Sequence, residues 1–148
     1  MIYFAYDITM DPQVLAAEAG CRGAVYIGIG YLADRRLVFD REDVLWPRVP
    51  SIIESYGDRV FGVVYGLSDR SAIRRLKKFE KHTSLVEVRV RLHTSTIIVN
   101  ARAFKTMCDF ALPEAPVCRH YRDMLIRAAL YHELPLDYIN TLQEIDVA

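Results

Sequence analysis

The stretch Val60-Phe61-Gly62-Val63-Val64-Tyr65-Gly66-Leu67, running through Ser68-Asp69 into Arg70 to Glu80, decides how the chain is read. Val60, Phe61, Val63, Val64 and Tyr65 are β-branched or aromatic with no polar alternation, which suits a strand placed centrally in a sheet and covered on both faces. Ser68 or Asp69 then offers a side-chain oxygen to cap a helix. From Asp69 to Glu80, the residues Ala72, Ile73, Leu76 and Phe79 recur at helical spacing, while Arg74, Arg75, Lys77 and Lys78 take the other face. A buried strand is thus delivered into an amphipathic helix, and Glu80 stands where that helix ends. Flanked by Lys78 and Lys81, such a glutamate is ordinarily a solvated surface residue. Phe79 and Ile73, however, bring the apolar face to the same helix end. A carboxyl at the edge of apolar surface has its charged form disfavoured and can act as a general acid or base.

Beyond this unit the hydrophobic period changes. Val86, Val88, Val90 and Leu92 alternate with Glu87, Arg89, Arg91 and His93, which predicts a strand with one wet face. His93-Thr94-Ser95 reads as a turn and Thr96 to Phe104 as the returning strand of an antiparallel hairpin. Pro113 and Pro116 mark a loop, Cys118 to His132 carries a helical apolar face with Tyr121, Leu125, Ala128 and Ala129, and Pro135 opens a last helix. Upstream, Ile2 to Tyr6 predicts a short buried strand, Asp7 to Asp11 a turn, and Pro12 to Ala19 a helix of about two turns stopped by Gly20. Ala24 to Tyr31 and Arg36 to Phe39 read as two strands broken near Asp34, and Trp46 to Tyr56 as a loop and a strand ended by a turn at Gly57-Asp58. Strands joined mainly by hairpins, with helices gathered toward the C-terminus, predict an α+β domain with a mixed, mostly antiparallel, barrel-like sheet flanked by helices.

With 148 residues, 52% of them apolar, the chain can bury one good core, so a single domain over residues 1–148 is expected. Nineteen basic residues balance nineteen acidic ones, leaving no electrostatic reason to expect nucleic acid or an anionic membrane as partner. A small neutral or zwitterionic ligand suits this balance better. Cys21, Cys108 and Cys118 form neither a C-x-x-C pair nor a disulfide framework, and they read as thiols in a reducing compartment. The N-terminus lacks a basic region ahead of an apolar run, and no stretch approaches the roughly 20 apolar residues of a membrane span. The cytoplasm is the expected location.

Other constellations carry little. His82, His93, His120, His132 and Cys118 have none of the spacings of a metal site, so no metal is expected. No G-x-S-x-G elbow or cysteine-protease signature accompanies the serines and cysteines. Gly28-x-Gly30 lacks the third glycine and the following helix of a phosphate-binding turn.

The order of segments resembles the γ-glutamylcyclotransferase-like (AIG2-like) family. Tyr6-Asp7-Ile8-Thr9-Met10 after Tyr3-Phe4-Ala5 is similar to the opening Y-G-S-N-M or Y-G-T-L loop of that family, and Val60 to Leu67 to its V-x-G-V-V-Y-x-L strand. Leu76-Lys77-Lys78-Phe79-Glu80-Lys81 falls on the L-D-x-x-E-G helix ending that bears the family's catalytic glutamate. Pro116 to Tyr121, with Leu134-Pro135-Leu136-Asp137-Tyr138, resembles its P-x-x-x-Y and L-P-x-x-Y elements. The resemblance implies the family fold and an internal aminolysis releasing 5-oxoproline from a γ-glutamyl-type small-molecule substrate, with no cofactor. It also implies Glu80 as the catalytic base and acid, backbone N–H groups of Asp7, Ile8, Thr9 and Met10 as ligands of the substrate's carboxylate or oxyanion, and Tyr6 and Tyr121 as wall or hydrogen-bonding residues.

The chain departs from the pattern at the same places. Asp7 stands where the family has glycine and adds negative charge beside a site meant for an anion, Ile8-Thr9 replaces Ser-Asn or Thr-Leu, and Lys81 replaces the glycine after the glutamate. Two readings therefore stand: an enzyme of this type, or a catalytically degenerate binding or interaction protein on the same fold.

Overall fold

The computed structural model describes residues 1–148. Five strands, β1 (Ile2–Ala5), β2 (Val25–Arg41), β3 (Val49–Gly66), β4 (Thr83–Leu92) and β5 (Ile98–Thr106), close into a barrel in the order β1-β3-β2-β4-β5. The pairings are antiparallel except where β1 meets β5 in parallel at Tyr3 and Arg102, which makes the sheet mixed as expected. Three helices, α1 (Arg70–Phe79), α2 (Arg119–Tyr131) and α3 (Leu136–Gln143), lie outside it, and none is long and apolar enough to cross a membrane.

β2 and β3 are longer than the sequence pattern predicts. The break expected near Asp34 and the turn expected at Gly57-Asp58 face each other within one long hairpin, where pairing jumps from Ala33–Arg59 to Arg35–Glu54. Ser55 to Asp58 are the extra residues of a wide bulge. Asp34 and Gly57 take left-handed φ values of 56° and 86°, and the Asp34 carboxylate accepts the Gly57 N–H at 2.9 Å. The turn conformation is present at both places, but the ladder continues past it. The short helix expected at residues 12–19 forms, opening with the Leu15 N–H on the Asp11 carbonyl at 2.9 Å and widening to π spacing over Val14–Glu18, with Ala19 N–H donating to the Val14 carbonyl at 2.9 Å.

Alternation along β1 and β3 divides the core in two. Phe4, Tyr6, Val60 and Val64 join Val88, Val90, Ala101 and Ala103 inside the barrel, whereas Tyr3, Ala5, Phe61, Val63 and Tyr65 face Leu76 of α1, Tyr121 and Leu125 of α2, and Ile139 and Leu142 of α3. This two-sided burial is what the unbroken apolar run Val60–Tyr65 encodes. Asp69 caps α1 as predicted, its carboxylate accepting from Ser71 N at 2.8 Å, and Leu76, wholly buried, ties the helix to the wall. The end of α1 is thereby brought to the barrel beside the loop that leaves β1.

Candidate active site

Glu80 terminates α1. Its N–H closes the last helical turn on the Leu76 carbonyl at 2.7 Å, and its carbonyl accepts from Thr83 Oγ1 at 2.5 Å. Lys78 and Lys81 on either side are exposed, yet Glu80 is only 4% exposed, because the chain turns inward at the helix end that Leu76 anchors. The surface-residue reading of this glutamate is set aside.

Inside, Glu80 Oε2 accepts from Nη2 of Arg41 at 3.1 Å, with both side chains almost fully buried. Arg41 Nη1 donates to the Lys81 carbonyl at 2.8 Å, so the guanidinium is fastened to both ends of the Glu80-Lys81 turn. The Asp7 carboxyl lines the same void as Glu80. Burial pushes the Glu80 carboxyl well above the ordinary carboxylate range, the charge of Asp7 pushes it further, and Arg41 opposes both. Glu80 Oε1 and Arg41 Nε are buried without a hydrogen-bond partner. Such atoms are uncommon in a folded interior.

The loop after β1 is a 3-10 turn, Ile8–Met10, whose cap is Asp7. Asp7 Oδ1 accepts from Thr9 N at 2.9 Å and from Thr9 Oγ1 at 2.5 Å, and the Met10 N–H donates to the Asp7 carbonyl at 3.0 Å. The N–H groups of Thr9 and Met10 are therefore spent within the loop. Thr9 Oγ1 also lies 2.7 Å from the Tyr3 hydroxyl, and Tyr6 donates its hydroxyl to the Phe104 carbonyl. Of the residues named from sequence, Glu80, Asp7, Ile8 and Tyr121 line one void, and Tyr6, Thr9 and Met10 sit behind it. Tyr121, 1% exposed, places its phenol against the Ile8 backbone and its ring edge-on to Trp46 at 5.4 Å.

Arg41, Asp43 and Trp46 also line the void, and sequence reading passed over all three. Trp46 belongs to the connection between β2 and β3, where a turn from Asp43 N to the Trp46 carbonyl (3.0 Å) lays the indole over His120 and Tyr121. A signal existed for Arg41: Asp40-Arg41 ends the apolar run Leu37-Val38-Phe39, where charged residues buried on a strand need partners. The void measures about 10 Å³, room for roughly one water molecule. A far larger groove, about 640 Å³, lies between α3 and the β2–β3 hairpin, away from Glu80. Its two arginines are engaged, Arg36 with Glu114 at 3.5 Å and Arg59 over the Tyr31 ring at 4.5 Å.

Behind the loop, the Met10 carbonyl accepts from the Tyr65 hydroxyl and from His132 Nε2, each at 2.7 Å. Burial pushes the His132 imidazole below its ordinary value, against the pull of the Met10 carbonyl and Asp11. A base depressed on folding contributes stability above its unfolded pKa of 6.5 and loses it as pH falls through that value to the lower folded one. His132→Asn is expected to flatten the fall of the melting temperature between about pH 7 and 5. An unchanged slope in thermal melts over that range would contradict this assignment. No three His, Cys, Asp or Glu side chains come close enough together to hold a metal ion.

Residues 59–142, more than half of the chain, match the model of the AIG2-like family, and the chain belongs to that family. Its fold is that of a γ-glutamyl cyclotransferase, whose structure superposes with a TM-score of 0.88 at 22% identity over 100% of this chain and 89% of that one. An uncharacterized protein from Homo sapiens gives the same TM-score of 0.88 at 22% identity, over 99% and 88% of the two chains. YkqA from Bacillus subtilis gives 0.76 at 18% identity over 100% of this chain and 56% of its own. No curated protein matches in sequence. At these identities the likeness carries the fold, and the chemistry rests on the site.

Proposed function

We propose that the chain is a γ-glutamylcyclotransferase-type enzyme that releases 5-oxoproline from a γ-glutamyl amine or γ-glutamyl amino-acid conjugate. One observation carries this reading: a buried carboxyl with a raised pKa and a free oxygen, held at the end of α1 against the loop after β1. The substrate brings its own nucleophile. Its neutral α-amine attacks the γ-carbonyl, the new C–N bond closes a five-membered lactam, and the bond to the departing amine breaks. Folding the substrate so that amine and carbonyl meet supplies much of the rate. Glu80 takes the proton from the attacking nitrogen and returns it to the leaving amine, so one carboxyl serves both halves without metal or cofactor. Three free cysteines fit a reducing cytoplasmic setting.

The second reading, a catalytically degenerate binding protein, is favoured by the closed state of the site. A void of about 10 Å³ does not admit a γ-glutamyl group, Ile8 lines it, and Arg41 occupies Glu80 Oε2. The enzyme reading requires the Asp43–Trp46 turn to move aside. Incubation with a panel of γ-glutamyl amines, γ-glutamyl amino acids and glutathione, followed by 5-oxoproline analysis, separates the two: release supports the enzyme, and its absence from a folded protein supports the binding protein.

Asp7 gives this assay a pH signature. A base works when ionised, so a raised Glu80 pKa places the acid limb of the rate profile above the ordinary carboxylate range. Asp7→Asn keeps Oδ1 as acceptor for Thr9 and removes the charge that disfavours ionised Glu80. The limb of kcat/KM is expected to move to lower pH. A limb that stays in place or moves upward would show that Asp7 does not act on Glu80.

A further inference from the structure

We propose that Arg41 is the anchor for the ligand's carboxylate, and that binding exchanges one carboxylate for another on its guanidinium, the ligand's replacing that of Glu80. The inference takes its ligand from the function proposed above but rests on separate observations. Two of the four backbone donors that the resemblance assigns to the substrate's carboxylate or oxyanion are taken, Thr9 N–H by the Asp7 side chain and Met10 N–H by the Asp7 carbonyl, which leaves those of Asp7 and Ile8. An anion entering beside Asp7 meets negative charge and needs a cation. Arg41 is the cation that lines the void; it is 2% exposed, and its Nε–H has no partner. Two further contacts hold it in place, Nη1 on the Lys81 carbonyl at 2.8 Å and Nη2 on Glu80 Oε2 at 3.1 Å.

Nε and Nη2 point along one edge of the planar guanidinium, the edge that binds a carboxylate through two parallel hydrogen bonds. Glu80 uses one of these donors and leaves the other idle. A ligand carboxylate meets both. Its arrival replaces an anion by an anion, so Arg41 never stands buried without a counter-charge, which is the costly state for such a pair. It also frees Glu80 from the cation that lowers its basicity, beside Asp7 and in line for the ligand's amine. Substrate thus assembles the base it needs, and ligands lacking a carboxylate leave Glu80 held by Arg41.

Trp46, the chain's single tryptophan, covers this void and reports its occupancy without any turnover. Titration with 5-oxoproline and with 2-pyrrolidinone, the same lactam without its carboxylate, followed by Trp46 fluorescence, tests the anchor. Saturable binding of 5-oxoproline, at least tenfold tighter than 2-pyrrolidinone, is expected. Arg41→Gln should weaken 5-oxoproline at least tenfold, and Arg41→Lys, which keeps the charge and loses the two-pronged edge, should also weaken it. Glu80→Gln should bind 5-oxoproline as tightly as the wild type or more so, because a neutral amide yields Arg41 more easily than a carboxylate does. Equal binding of the two lactams, no saturable change with 5-oxoproline, or unaltered binding in both Arg41 variants overturns the anchor. The two proposals fail separately. Release of 5-oxoproline with an unchanged KM in Arg41→Lys would sink the anchor and keep the enzyme, whereas Arg41-dependent binding without release from any conjugate would keep the anchor and sink the enzyme.

Discussion

Glu80→Gln is expected to lower 5-oxoproline release by about 10²- to 10⁴-fold, the usual share of a positioned acid–base group. That is about 2.7 to 5.5 kcal/mol of transition-state stabilisation. The substitution preserves shape and keeps an amide oxygen to accept from Arg41, so the hydrogen bond to Nη2 survives while the proton acceptor is lost. Because Asp7 remains beside Arg41 in the same void, the buried guanidinium keeps an anion nearby. The circular dichroism of the barrel should therefore be unchanged. Residual activity within tenfold of the wild type, in a protein with that spectrum intact, would remove Glu80 from the chemistry and leave substrate positioning as the whole source of rate.

Gly62→Ala is expected to cost about 3 kcal/mol or more, and to lower the melting temperature by about 10 °C. Gly62 pairs with Gly30 across the β2–β3 ladder, where the sheet coils tightly to close. A Cβ at Gly62 would meet the Ala5 carbonyl oxygen at 2.3 Å and the Phe4 ring at 2.8 Å, and one at Gly30 would meet the Arg91 carbonyl oxygen at 2.6 Å. A backbone carbonyl cannot swing away as a side chain can. β1 would have to shift, carrying with it Tyr6 to Met10 and the wall of the site. Gly66→Ala is the matched control, since a Cβ there finds its nearest neighbour, the end of the Ile27 side chain, at an ordinary 3.6 Å. Urea melts of the pair should differ by at least 2 kcal/mol, and equal midpoints would show that β1 accommodates the methyl freely.

The long, strongly patterned elements were legible because their signals are local. Asp69 before an apolar stripe specifies a capped helix whatever surrounds it, and the Val86–Leu92 alternation specifies a strand with one wet face. Errors fell where local chemistry and ladder pairing compete. Asp34 and Gly57-Asp58 carry turn chemistry and do adopt left-handed backbone, but the flanking residues pair on both sides and the hairpin runs on around a bulge. Pro12 to Ala19, with a start and a stop of helical kind, does form the short helix expected, and only its hydrogen-bond spacing, which widens to i→i+5 between Val14 and Ala19, was not legible.

By itself, then, the sequence determined the class of fold, the strand that is buried on both faces, the helix that ends at Glu80, and the glutamate to suspect. The strand and the helix follow from spacing within about a dozen residues, where hydrophobic period and capping act, the class of fold from the order of such segments, and the glutamate from the resemblance of Leu76–Lys81 to the family's helix ending. Only the tertiary structure decided that Glu80 turns inward, that Asp7 crowds it, that Arg41 pairs with it, and that Trp46 covers the three. These groups come from the end of β1, the end of β2, the β2–β3 connection and the end of α1. Burial and charge act through space, so a carboxyl's basicity and an arginine's idle donor exist only once the barrel closes and brings those ends together.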